Sequence, residues 1–138
     1  MTEVPGPGVT ADVYDMHAHL GFYEDVTHGA RELAGLGVHA LCATVTPAEY
    51  ERVAAELAGA RNVRVGVGLH PWWLADGRCN EADARRAAEL AATSRYVAEV
   101  GLDFGHGREA CAREQVAALD AILRSCESGG HVLSLHAV

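Results

Sequence analysis

The strongest constraint on how this chain folds is a rhythm in its apolar residues. Five short runs rich in Val, Leu, Ala and Tyr recur at 12–19, 38–45, 63–69, 96–101 and 132–136. Each of the first four is followed by a segment with helical patterning, at 26–34, 47–57, 80–92 and 110–127. Strands that alternate with helices form a parallel sheet through right-handed crossovers. The runs at 38–45 and 63–69 are almost uniformly apolar, as strands covered on both faces are. The expected fold is α/β, with about five parallel strands and four helices.

Local signals set the boundaries. Thr46-Pro47-Ala48-Glu49 starts a helix: Thr46 caps, Pro47 suits the first helical position, and Glu49 completes a capping box. Asn80 caps the next helix, with Asp83 in its first turn. Gly35 with Gly37, Gly59, and Gly129-Gly130 stop helices. Pro71 ends the third strand, because proline cannot continue a central ladder. Residues 72–78 and 102–108 read as loops. In the last helix Val116, Leu119, Leu123 and Cys126 recur at helical spacing and form the expected core stripe. Residues 1–11, broken by Pro5, Gly6, Pro7 and Gly8, read as a flexible tail, and 12–138 as one domain.

Composition excludes several classes. A formal net charge of −8 makes a nucleic-acid or membrane binder that works by charge alone a poor fit. Bound divalent cations invert that field locally, so a phosphate substrate stays open. The four cysteines fit neither a Cys-x-x-Cys motif nor a compact disulfide framework, and reduced thiols in the cytoplasm are expected. Cys42, inside an apolar run, reads as a core residue. No segment has the apolar length of a membrane span, and no signal peptide is expected.

In parallel α/β folds, ligands bind beyond the carboxyl ends of the strands. The ligand-type residues fall there. His17 and His19 close the first strand on one face, roughly 6–7 Å apart along the backbone, and can converge on one ion. His70 closes the third, Glu99 interrupts the fourth, and His136 closes the fifth. A lone carboxylate in an apolar strand is costly. Either a metal relieves Glu99, or an arginine such as Arg64 or Arg95 pairs with it. His136 is either a ligand or a satisfied core histidine. His70 reads as a substrate neighbour rather than a direct ligand. Asp103 either orients a ligand or caps the next turn. His28, His39, His106 and His131 read as solvent-facing, His106 being nearest the rim.

Together these motifs resemble the TatD family of metal-dependent hydrolases. They are Asp15-Met16-His17-Ala18-His19-Leu20, Val67-Gly68-Leu69-His70-Pro71, Ala98-Glu99-Val100-Gly101-Leu102-Asp103-Phe104, Gln115, and Leu133-Ser134-Leu135-His136, in the family's order. The resemblance implies an incomplete (β/α) TIM barrel with a centre for two divalent cations, such as zinc, manganese or magnesium, at its carboxyl rim. It implies that His17, His19, Glu99 and His136 ligate metal, with Glu99 bridging, and that His70 and Asp103 lie near substrate. Glu99 is also the expected catalytic residue. The implied activity is deoxyribonuclease, with nucleic acid as substrate.

The chain departs from the pattern in four places. Ala98 stands where the family has glycine, Gly21 where it often has aspartate, and Val138 where it usually has arginine. The fourth is length. A full barrel needs roughly 200–250 residues, and the family's later histidine and aspartate fall outside this sequence of 138 residues. The expectation is therefore the N-terminal part of such a hydrolase, binding metal weakly and turning over slowly or not at all. The alternatives are a hydrolase of amide or lactone bonds, and a non-catalytic module that self-associates or pairs with a complementing chain to cover open strand edges.

Overall fold

A computed structural model describes residues 12–138. The expected tail at 1–11 lies outside them. Five strands, β1 (Val13–Ala18), β2 (Val38–Ala43), β3 (Val63–Leu69), β4 (Tyr96–Leu102) and β5 (Val132–Ala137), form one sheet in sequence order. Every neighbouring pair is parallel. Helices α1 (Val26–Gly35), α2 (Pro47–Glu56), α4 (Glu81–Thr93) and α5 (Ala112–Ser125) make the crossovers. A short helix α3 (Pro71–Ala75) occupies the first part of the stretch expected to be a loop. Its cause is local: the His70 side chain accepts from Trp72 N–H, and Pro71 takes the first helical position. The arrangement is part of a (β/α) barrel, with helices on the outside and strand ends gathered at one rim.

The capping signals act largely as read. Thr46 accepts from Glu49 N–H at 3.0 Å. Glu49 reaches one residue further back than a capping box does, accepting from Val45 N–H at 2.7 Å. Asn80 and Asp83 form a complete box. The last helix is shorter than expected, because residues 108–111 form a 3-10 turn before it.

Two cores cover the outer face of the sheet. One sets Val67, Leu69, Val97 and Val100 against Ala84, Ala87 and Ala91 of α4 and Ala118 and Ile122 of α5. The other sets Ala40, Cys42 and Val63 against Val26, Ala30, Val53 and Leu57. Each fully buried Val or Ile contributes about 1.5–3 kcal/mol. The stripe on α5 is rotated from the one expected. Gln115, Ala118 and Ile122 are buried, whereas Val116 is 50% and Leu123 40% exposed. Leu119 and Cys126 pack at the margin of the core. Buried Gln115 displaces the register, because its amide has polar work to do on the inside.

On the concave face Leu41, Ala43 and Ala98 are packed together, while Tyr14 and Met16 on β1 are exposed; Leu135 on β5, in register with Val100 of the outer core, is exposed on the other face. No helix among the described residues is long and apolar enough to cross a membrane.

Candidate metal centre

The residues expected at the rim come together around one carboxylate. Glu99 sits where the β4–β5 register is irregular, between Ala98 and Val100. Its backbone is pinned from across the sheet. Glu99 N–H donates to Thr44 O, and Thr44 N–H to Ala98 O, each at 2.9 Å. These bonds pass over β3 at Gly68, where a Cβ would lie 1.5 Å from Thr44 O. The Glu99 side chain is turned inward and only 8% of the residue is exposed.

Four imidazoles surround it in two pairs. Oε2 faces His17 Nε2 at 3.5 Å and His19 Nε2 at 3.3 Å. Oε1 faces His70 Nε2 at 3.5 Å and His136 Nδ1 at 2.9 Å. The arginine alternative for Glu99 does not hold: Arg64 donates to the carbonyls of Arg61 and Val63 instead. His28, His39, His106 and His131 lie away from this cluster, His39 stacked on Tyr14 and His131 against Ser94 O.

The far nitrogen of each ring fixes which nitrogen carries the proton. His19 Nδ1 lies 3.1 Å from Ala43 O. A carbonyl only accepts, so Nδ1 holds the proton and the Nε2 lone pair points at Glu99. His17 Nδ1 lies 2.8 Å from Ser134 Oγ, a contact that links the two outermost strands; a hydroxyl donates as well as accepts, so it orients the ring without setting its tautomer. His70 is the reverse. Its Nδ1 accepts from Trp72 N–H at 3.1 Å, so the neutral ring is a donor at Nε2. His136 spans two carboxylates, with Nε2 2.9 Å from Asp103 Oδ2.

The Nε2 lone pair of His19 and the Glu99 carboxylate face one another and repel. A cation between them relieves this. The donor set fits a metal: His17, His19 and Glu99 form one group of converging ligand atoms, and His70, Glu99 and His136 a second. Burial pushes the Glu99 carboxyl up, but hydrogen bonds from His70 and His136 and the charges of His70 and His17 outweigh it, and it falls to about 2.

Asp103 is fully buried behind His136. Burial raises its pKa, yet hydrogen bonds from Arg108, Trp72, His136 and Gly105 hold it well below the usual carboxylate range. Both readings of this residue are visible in the geometry. Oδ2 meets His136, and Oδ1 accepts from Gly105 N–H at 2.9 Å in the following turn. Its backbone is clamped by Gln115, whose Oε1 accepts from Asp103 N–H at 2.7 Å while Nε2 donates to Asp103 O at 2.8 Å. Ser134, Trp72 and Arg108 were not singled out in the sequence. Ser134 shares strand parity with His136, a signal that was available; Arg108 had none.

Comparison with known proteins bears on the family and the fold. A family model described as TatD related DNase matches residues 14–138. Among solved structures, the crystal structure of YjjV, a TatD homologue from Escherichia coli K12, aligns with a TM-score of 0.74 at 22% sequence identity. The alignment covers 93% of this chain and 51% of that one, so this chain spans about half the length of that relative. At this identity the likeness speaks to the fold. No curated protein matches the sequence. With five parallel strands in barrel order and a family match over nearly all the described residues, the chain belongs to the TatD-related DNase family.

Proposed function

We propose that this chain carries the metal-binding half of a hydrolase that cleaves phosphodiester bonds in nucleic acid. The observation that carries the reading is Glu99 held between two imidazole pairs, one pair at each oxygen. His17, His19 and Glu99 would hold one divalent ion, and Glu99 with His136 a second. The bound ions supply Lewis acidity, lowering the pKa of water and polarising the phosphoryl oxygen. Imidazole with carboxylate suits zinc or manganese better than magnesium.

The chain's own residues do the rest. Ala43 O holds His19 with its Nε2 lone pair inward, and Ser134 Oγ orients the His17 ring. Asp103 holds His136 from behind. His70, a donor at Nε2, orients an anionic oxygen of the substrate. Exposed aromatic rings at three rim segments, Phe22 with Tyr23, Trp72, and Phe104, favour a substrate with stackable bases. Four free thiols favour a reducing compartment such as the cytoplasm. One observation favours a partner as well: Tyr14 and Met16 on the inner side of β1 and Leu135 on the outer side of β5 lie bare on the outermost strands, surfaces that a second copy or a complementing chain would cover.

A substrate panel tests the assignment. The chain is incubated with manganese or zinc and a single-stranded oligodeoxynucleotide, an amide or a lactone. Slow, metal-dependent cleavage of the oligonucleotide that disappears in Glu99→Gln is the expected result. Turnover of the lactone or amide with an intact oligonucleotide would overturn it.

A further inference from the structure

Beside the candidate metal centre, a groove of about 390 Å³ runs between α3 and the loop after β4, lined by Trp72, Ala75, Asp76, His106, Arg108 and Cys111 among others. One buried carboxylate sets both of its main features. Asp103 Oδ2 accepts from Trp72 Nε1 at 2.5 Å, and Oδ1 accepts from Arg108 Nε at 2.8 Å. The Arg108 guanidinium lies over the indole, 4.7 Å from the ring centroid. Trp72 is therefore anchored by its inner edge while 43% of the residue stays exposed. Arg108 spends Nε on Asp103, and no hydrogen bond to its two terminal nitrogens occurs among the described residues. The acid that also lines the groove, Asp76, is neutralised by its ion pair with Arg78. The Trp72 and His136 rings are 6.4 Å apart, so groove and metal centre adjoin.

We propose that this groove is a nucleotide subsite. Arg108 binds a phosphate through its terminal nitrogens, and Trp72 stacks the attached base. A guanidinium fixed at Nε presents its remaining donors as a fork that matches phosphate oxygens. An indole held in one rotamer stacks a base without an ordering cost, whatever the base. In a chain of net charge −8, a preset cation beside an aromatic ring is what a strand needs in order to dock before its neighbouring phosphate reaches the metal centre. The subsite's place in catalysis rests on the function proposed above; the binding does not require metal.

The test uses Trp73→Phe, which leaves Trp72 as the single tryptophan, and follows its fluorescence in the presence of a chelator. A 5′-phosphorylated thymidine dinucleotide is expected to quench Trp72 saturably. A neutral analogue (methylphosphonate linkage, 5′-hydroxyl), thymidine and deoxyribose 5-phosphate should each bind at least tenfold more weakly, and Arg108→Gln should weaken the phosphorylated dinucleotide at least tenfold. Equal quenching by the neutral analogue overturns the proposal, and that comparison needs no Arg108 variant to fold. No quenching by the phosphorylated dinucleotide also overturns it. Metal content, measured after loading with zinc and before any chelator is added, separates the two readings. Stoichiometric metal without dinucleotide binding removes the subsite alone, and dinucleotide binding without metal removes the metal centre alone.

Discussion

Replacing Gln115 with Met removes the clamp on the β4 rim while keeping the length of the side chain. Gln115 is fully buried. Its amide binds Asp103 N–H at 2.7 Å, Asp103 O at 2.8 Å and Arg108 O at 3.2 Å. Methionine satisfies none of these. The two Asp103 groups are buried, and a buried polar group left without a partner costs about 1–3 kcal/mol. Arg108 O is nearer solvent and costs less. The sum is about 3–5 kcal/mol, offset by about 1 kcal/mol for the added apolar burial. A net loss near 3 kcal/mol is a large share of a typical stability of about 5–15 kcal/mol. Urea unfolding followed by circular dichroism reads it directly. With a slope of about 1–3 kcal/mol per molar, the midpoint should fall by roughly 1–3 M. Val116→Ala, one residue along but on the exposed side of α5, should stay within about 0.5 kcal/mol of the parent. A loss under 1 kcal/mol in Gln115→Met, or a larger loss in Val116→Ala, would refute the reasoning.

Two further expectations concern the frame around Glu99. Gly68→Ala would set a methyl group against Thr44 O, the acceptor for Glu99 N–H; it should cost about 3 kcal/mol and weaken zinc binding at least tenfold, whereas Gly35→Ala, with nothing within 4 Å, should be neutral in both thermal melts and zinc titrations. Acidification should weaken the fold through Glu99. The carboxyl is held down to about 2 in the folded chain against roughly 4.3 when unfolded, so the unfolded chain takes up the proton first. The contribution is complete above roughly pH 5 and is lost as the pH falls through 4 toward 2. Urea midpoints at pH 5, 4 and 3 should fall in the parent and fall less in Glu99→Gln; equal slopes would contradict this source of acid sensitivity.

Much of the architecture was legible because it rests on local, repeating signals. The five strands and their order follow from apolar runs separated by capped helices, and Thr46, Asn80 and Gly37 act near where their chemistry places them. The helix at 71–75 was missed because its cap is a histidine side chain, an atypical N-cap. The α5 face was misread because periodicity counts apolar residues, and here a glutamine takes a core position to satisfy Asp103. The site was half visible. Strand-end placement picked out His17, His19, His70, Glu99 and His136, yet the tautomers that separate a lone pair on His19 from a donor on His70 depend on Ala43 O and Trp72 N–H, contacts that only the folded backbone creates. Arg108 lies in a loop of glycines, with no periodicity to mark it.

The central claim is that Glu99 and its imidazoles are built for metal. Isothermal titration of the dialysed chain with zinc, beside the His17→Ala/His19→Ala double variant, tests it most directly. One to two equivalents bound by the parent and a clear loss in the variant, with both chains showing the same circular dichroism, is the predicted result. No binding by the parent at saturating zinc, or unchanged binding in the variant, would contradict the account.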